Sequence, residues 1–449
     1  MKLQGKTLRE SCDAKILEHN YSGKGNFGQI LEKYYFLYEP NSDSEPDFPI
    51  AKLELKSTSL KQLQNQEFRA KERLVLNIIN YNDVIKQDFE TSSFIKKNAN
   101  LLIVFYYNPE DYEAIDYLIK LVGEWSFPNT DLEIIKKDWE TINKKILAGK
   151  AHEISGGDTF YLEACTKGGK GGNLRSQPKS EIKAKQRAYS LKHSYLNHII
   201  SSIANDPAET YGKLIQNSNV AKEQTIEEIV ISKFQPYYNF TIPQILDKLK
   251  LDLNPAAKNF NANLTKAILG IELEKEIEEF EKAGIIVKTV ELQENFLPAQ
   301  NLSFPAFEYE KIYDEDWRTS DLLEMLESRF LFVFFQLTPN GVKLLKAKFW
   351  NMPQNDIKEV RKVWLTTKKI IQNGNIVTGF KSDKNGKISR VTNFPGQSIN
   401  PIAHVRPHAT TTLDTNPLPV RDKLTEKDEY TKHSFWLNNT YVRDEIFLK

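Results

Sequence analysis

Apolar residues recur every three to four positions through "TLRESCDAKILEHN" and "GNFGQILEKYYFLYE", where Phe27, Ile30, Leu31, Tyr34 and Tyr35 fall on one face. Residues 1–40 are therefore read as helical. The polar turn "PNSDSEPD" follows. "FPIAKLELKST" and "KERLVLNIINY" read as strands joined by a polar loop, and "NLLIVFYYN" as a buried strand. "DYEAIDYLIKLVGEW" and "TDLEIIKKDWETINKKILAG" alternate apolar and charged residues at helical period and are read as helices. A Gly-rich loop, "CTKGGKGGNLRSQPKS", precedes a basic stretch, "EIKAKQRAYSLKHSYLNHIISSIA", read as a third helix.

Residues 205–225, polar and turn-rich, read as a linker between a first domain, 1–204, and a second, 226–449. The second half repeats the order of the first. "EFEKAGIIVKTVELQ", beginning at Glu279, parallels "DFPIAKLELKSTSLK", beginning at Asp47. "RFLFVFFQLTPNG" parallels "NLLIVFYYNPEDY", and "AHVRPHATTT" with "HSFWLNNTYV" parallels "EACTKGGKGG" with "RAYSLKHSYL". A duplicated mixed α/β fold accounts for these matches. "TPNGV" and "DKNGK" have hairpin-turn chemistry.

Composition narrows the class. The 449 residues are 40% hydrophobic and 27% charged, which suits two or three folded domains. Lys+Arg 61 against Asp+Glu 60 leaves a net charge of +1, so only local charge can speak for a polyanionic partner. Cys12 and Cys165 are too few for a disulfide framework, and no C-x-x-C pair suggests zinc. The polar start "MKLQGKTLRE" is unlike a secretory signal, and no apolar run approaches the ~20 residues that span a bilayer. A reduced, cytoplasmic protein without membrane association is expected.

Glu54 and Lys56 lie two apart on the first strand and so point to one side, while Leu53 and Leu55 point to the other. Asp47, at the end of the preceding turn, can reach the same place. Two hard carboxylates and a lysine suit phosphodiester hydrolysis: Asp47 and Glu54 can hold Mg²⁺, and Lys56 can position water and offset negative charge. An isolated E-x-K is common as a surface ion pair, so context matters. Just upstream, "SGKGNFGQILEKYYF" adds Lys24 and Glu32.

"KGNFGQILE" followed by "DFPIAKLELK" resembles the MutH-type endonucleases, in which a Lys-Gly helix bearing a glutamate precedes a D-(six residues)-E-x-K strand. "KERLVLNIINY", "FETSSF", "LRSQPKSEIKAKQRAYSLK", "HVRPH" and "KHSFWLNN" are similar to the type II restriction enzymes of this family that cut at GATC, and the resemblance covers nearly the whole chain. It implies two tandem PD-(D/E)xK domains, a Mg²⁺ requirement and cleavage of double-stranded DNA at GATC that leaves 5′-phosphates. Asp47, Glu54 and Lys56 would form the catalytic core, with Glu32 and Lys24 beside them. A further lysine is matched by Lys97, in "SSFIKKNAN", with Lys96 an alternative.

The resemblance also implies a second domain that binds another GATC as an allosteric effector without cutting. Independently, Ile286 stands where the repeat aligns Glu54 and cannot ligate a metal, although Lys288 aligns with Lys56. "ANLTKAILG" has no acid at the position of Glu32. The second domain is therefore expected to be catalytically silent. For DNA contacts, residues 165–192 hold eight basic residues against Glu181 alone. Thr166, Lys167, Lys170, Arg175, Lys183 and Arg187 are the candidates there, and Arg406 and His408 in the matching loop of the second half. A restriction enzyme implies a cognate methyltransferase, and a monomer or DNA-induced dimer is expected. The competing readings are a mismatch-repair nickase of the same family and a GATC-binding protein that does not cut.

Overall fold

In the computed structural model the chain divides into two compact units: Met1–Lys233 with Lys258–Ile286, and Phe234–Ala257 with Val287–Lys449. Residues 2–13, 26–40, 45–63, 67–109, 112–167, 173–204, 211–382, 386 and 388–449 are described. The dividing line differs from the expected domain break at 205–225. Residues 205–210 lie outside the described residues, and 211–225 belong to the first unit, as do 258–286. Buried polar contacts hold them there. Glu279 accepts from the backbone N–H groups of Leu214 and Ile215 at 2.9 and 2.8 Å. The ammonium of Lys282 sits 2.9 Å from Asp131 and 2.6 Å from Glu278, and Ser194 donates to the Lys282 carbonyl.

The first unit is built on a sheet of β1 (Glu54–Gln62), β2 (Phe68–Ala70), β4 (Asn100–Tyr107) and β5 (Leu118–Ser126), in the order β2-β1-β4-β5. β1 runs parallel to β4, with Glu54 beside Leu101 and Lys56 beside Ile103. The buried run Leu101, Ile103, Val104 and Phe105 makes β4 a central strand, as its uninterrupted apolar sequence predicts. A second sheet has β3 (Leu74–Ile78), β9 (Arg187–Leu191) and β6 (Leu162–Thr166) in the order β3-β9-β6. β7 (Leu174–Gln177) and β8 (Ser180–Lys185) form a hairpin.

Two expected helices are strands. "DYEAIDYLIKLVGEW" contains a short turn, Ala114–Asp116, and then β5, which pairs antiparallel with β4 from Leu118 to Ser126. The buried β4 needs backbone partners on both sides, and β1 supplies only one. Ile119 and Val122 of β5 turn into the core, while Lys120 lies over the Phe68 ring. The basic stretch from Glu181 is helical only over His193–Ile203; its earlier residues form β8 and the fully buried β9. The helix Asn129–Leu147 is as expected.

The second unit repeats this plan. β10 (Ile285–Leu292, whose first two residues fall in the first unit), β12 (Arg329–Thr338) and β13 (Gly341–Trp350) form one sheet, and β11 (Leu302–Ala306), β15 (His433–Leu437) and β14 (Ala403–Pro407) another. "TPNGV" makes the β12–β13 turn, whereas most of "DKNGK" lies outside the described residues. The helix Gln354–Gln372 has 19 residues and follows Pro353, as Asn129–Leu147 has 19 and follows Pro128. β6 pairs Leu162 with Leu191, and β14 pairs Ala403 with Leu437. A helix starts two residues after each of those leucines. The repeat departs at its acid. "EFEKAG" is a helical turn, Glu278–Ala283, ended by Gly284 at φ +62°, rather than the loop that carries Asp47.

Asp138, on the helix Asn129–Leu147, fixes the start of β6. Its buried carboxylate accepts from the N–H groups of Phe160, Tyr161 and Leu162 at 2.8, 2.6 and 2.9 Å. Asp138→Ala strands three donors at about 1–3 kcal/mol each. Urea unfolding is expected to show a loss of about 3 kcal/mol or more.

Candidate active site

The site begins with a tight turn. Phe48 and Leu53 exchange backbone hydrogen bonds of 2.9 and 3.2 Å, which folds Asp47 back beside the start of β1. The Asp47 carboxylate then accepts the N–H of Leu55 at 3.0 Å, and Glu54 accepts the N–H of Asp47 at 3.1 Å. Glu54 thus holds the amide of Asp47, and Asp47 holds the amide that follows Glu54. Leu55 points away into a core with Phe27, Leu31, Val104, Ile119 and Val122, so strand alternation forces Glu54 and Lys56 to the opposite side.

Glu54 is 2% exposed. Lys56 donates to it at 2.6 Å and to the Leu76 carbonyl at 3.2 Å. Lys97 stands 3.6 Å from the same carboxylate oxygen. It comes from the helix Ser93–Asn98, whose start is capped by the Ser92 hydroxyl accepting from Ile95 N–H. Lys96, the alternative by sequence, is exposed. The structure thus brings Asp47, Glu54, Lys56 and Lys97 together. Glu32 lies on the helical stretch Asn26–Ile30 and Leu31–Tyr35, half-buried and within the field of the cluster. A Cβ on Gly28 would come within 3.1 Å of Ser57, so glycine lets this helix lie close to β1. Lys24 falls outside the described residues.

The electrostatics follow from burial. Desolvation raises the pKa of Glu54; Lys56 and Lys97 oppose that rise and Asp47 adds to it. Glu32 is also raised, by burial first and then by Asp47. Among the described residues no group of three His, Cys, Asp or Glu side chains stands ready-made as a metal cage. Mg²⁺ does not require one: it is commonly held through one or two carboxylates, with water and phosphate oxygens completing the shell. Asp47 and Glu54 fit that role as hard oxygen donors.

The expected DNA contacts fare unevenly. Thr166, Arg175 and Lys183 are exposed, and Lys167 is partly so, on β6, its loop and the β7–β8 hairpin. Lys170 lies outside the described residues. Arg187 does not fit the expectation: it is 9% exposed and donates to the carbonyls of Ala164 and Ile154 at 2.6 Å. It belongs to β9, the central strand of its sheet, so its guanidinium is turned inward. In the second unit Arg406 and His408 are exposed and pack on Trp436, at 4.5 and 5.3 Å between centres. His404 is buried and bonds Asn438 at 2.6 Å. Sequence reasoning missed the Leu76 carbonyl as an anchor for Lys56, since a backbone acceptor leaves no residue-type signal.

The site and the sheet that carries it are those of a MutH-like nuclease. The family described as "MutH: DNA mismatch repair enzyme MutH" matches residues 36–138, which span Asp47 to Lys97. The type II restriction enzyme Sau3AI of Staphylococcus aureus is 37% identical over 98% of this chain and 96% of that protein. The DNA mismatch repair protein MutH of Buchnera aphidicola is 27% identical over 34% of this chain and 70% of its own length. The chain belongs to the MutH-like endonuclease family. Within it, the chain is a type II restriction endonuclease, a hydrolase.

Two outcomes follow from the geometry. Lys97→Ala lowers cleavage by about 10²-fold, as loss of a charge-stabilising donor does, whereas Lys96→Ala stays near wild type in the same single-turnover assay. Because Glu54 and Glu32 are raised, activity falls on acidification at a pH above the ordinary glutamate value of about 4.3. A divalent cation favours the ionised carboxylates, so raising its concentration moves this acid limb to lower pH. Rate–pH profiles at two cation concentrations check the sign.

Proposed function

We propose that the protein is a Mg²⁺-dependent restriction endonuclease that cuts double-stranded DNA at GATC and leaves 5′-phosphates. The observation that carries the reading is the buried Glu54 between Lys56 and Lys97, with Asp47 locked beside it. Asp47 and Glu54 would hold the cation, and Glu32 supports them. Bound there, Mg²⁺ supplies Lewis-acid polarisation of a phosphate oxygen. Lys56 and Lys97 hold the phosphate by charge and stabilise the negative charge that develops on it. Lys56 is also placed to orient the attacking water.

GATC rests on the resemblance to the restriction enzymes of this family that cut there. Thr166, Lys167 and Arg175 are the proposed reading and phosphate contacts of the first unit, with Lys183 as a phosphate contact. The second unit is proposed to bind another GATC through Arg406 and His408 and to act as effector without cutting. Ile286 offers no ligand at the position of Glu54, and Lys288 instead donates to the Ser303 carbonyl at 3.2 Å. Burial alone lowers the Lys288 pKa, with no carboxylate to oppose it. A cognate methyltransferase protects the host DNA, and the enzyme acts in the cytoplasm as a monomer or a DNA-induced dimer.

Digestion of unmethylated plasmid with Mg²⁺, followed by sequencing of the ends, tests this directly. Double-strand ends at GATC are expected from the wild type, and a loss on the order of 10³-fold or more from Glu54→Ala. Nicks in one strand only would favour the mismatch-repair reading. Binding of GATC with no cleavage would sink the catalytic assignment. A plasmid with two sites is expected to be cut faster than one with a single site, and the Arg406→Ala, His408→Ala pair removes that difference.

A further inference from the structure

Tyr38 is absorbed neither by the core nor by the sequence motif. The chain leaves the helical stretch at Tyr35 and turns at Leu37, which takes a left-handed φ of 60°. The Tyr38 N–H returns to the Glu32 carbonyl at 3.2 Å. This turn lays the Tyr38 ring edge-on against Phe48, 5.7 Å between centres and 82° between planes. Phe48 is the residue next to Asp47. The ring therefore spans from the element of Glu32 to the turn that carries Asp47.

Its hydroxyl is buried and has no hydrogen-bond partner among the described residues. Leaving a hydroxyl desolvated and unpaired is unfavourable, so its surroundings matter. The charges that act on it are the carboxylates of Asp47, Glu32 and Glu54, all acceptors. Burial, then these charges, hold the phenol in its protonated, donating form. Glu54 already has Lys56 and Lys97 as partners. Asp47 has only the Leu55 N–H, on one oxygen, among the described residues.

We propose that Tyr38 is a positioning residue of the acidic site, whose hydroxyl donates to the Asp47 carboxylate when the site is loaded with its divalent cation. The inference rests on the proposed metal-dependent reading of that site. Carboxylates that hold a metal are commonly fixed by such outer hydrogen bonds, and losing one costs roughly tenfold or more in metal affinity. Tyr38 would fix the carboxylate without touching the phosphate.

The test compares full-length wild type with Tyr38→Phe, which keeps the ring against Phe48 and removes one oxygen. Free Mn²⁺ is followed by its paramagnetic resonance signal during titration, and thermal unfolding is recorded with and without Mn²⁺. The cation-free midpoint is expected to stay the same or rise, since an unpaired buried hydroxyl has been removed. The Mn²⁺ dissociation constant is expected to rise about tenfold, and the Mn²⁺-induced gain in midpoint to shrink accordingly. Unchanged Mn²⁺ affinity in Tyr38→Phe overturns the proposal, whether or not the cation-free midpoint moves. Wild type that binds no Mn²⁺ overturns the metal-dependent reading itself, and this inference with it.

Discussion

Burying a carboxylate is the constraint around which the first unit is arranged. Glu54 is almost wholly removed from water, and an isolated buried charge is among the least favourable things a fold can contain. It is tolerated because two ammonium groups and a backbone N–H converge on it. Lys56 arrives by strand alternation. Lys97 arrives only if the helix after Ser92 is placed over the same edge of β1. The backbone donor arrives only if the turn from Phe48 to Leu53 closes. The compensation therefore depends on three separate elements, and the net effect of burial still raises the Glu54 pKa. Under the proposed metal-dependent reading, that imbalance is what a bound divalent cation relieves.

The duplicated unit shows what remains when that constraint is lifted. One three-stranded sheet, the 19-residue helix behind a proline and the pairing that ends at Leu437 repeat the first unit, while the other sheet has three strands where the first unit has four. With Ile286 in place of the acid, Lys288 has a carbonyl to satisfy rather than a carboxylate. Glu279, aligned with Asp47 by sequence, caps Leu214 and Ile215 in the first unit. The architecture is thus separable from the acid cluster, as expected when sheets are stabilised by packing and the cluster by local charge compensation.

The acid and lysine spacing was legible because strand alternation is local: residues two apart share a face whatever the rest of the chain does. β4 was legible for a similar reason, since an unbroken apolar run has few places to go other than the middle of a sheet. β5 and β8–β9 were not. Their charged residues recur at intervals that a helix would also satisfy, and the unmet backbone groups of β4 and the burial of β9 decided against the helix. Arg187 follows from the same error. Read on an exposed helix it is a phosphate contact; on a buried central strand it is a structural donor.

Residue type and short-range spacing by themselves determined the chemistry available to this chain: hard acids and lysines on one strand face, two apolar strand sets, and a basic stretch around the Gly-rich loop. The family resemblance was likewise written in contiguous motifs. Only the tertiary structure decided which lysine joins Glu54, because Lys96 and Lys97 differ by one residue in sequence but by a helical rotation of about 100° in direction. Only the structure decided that residues 258–286 pack with the first unit, because that depends on Lys282 meeting Asp131 across 151 positions of chain. Local pattern constrains what a side chain can do; the long-range fold selects the partner with which it does it.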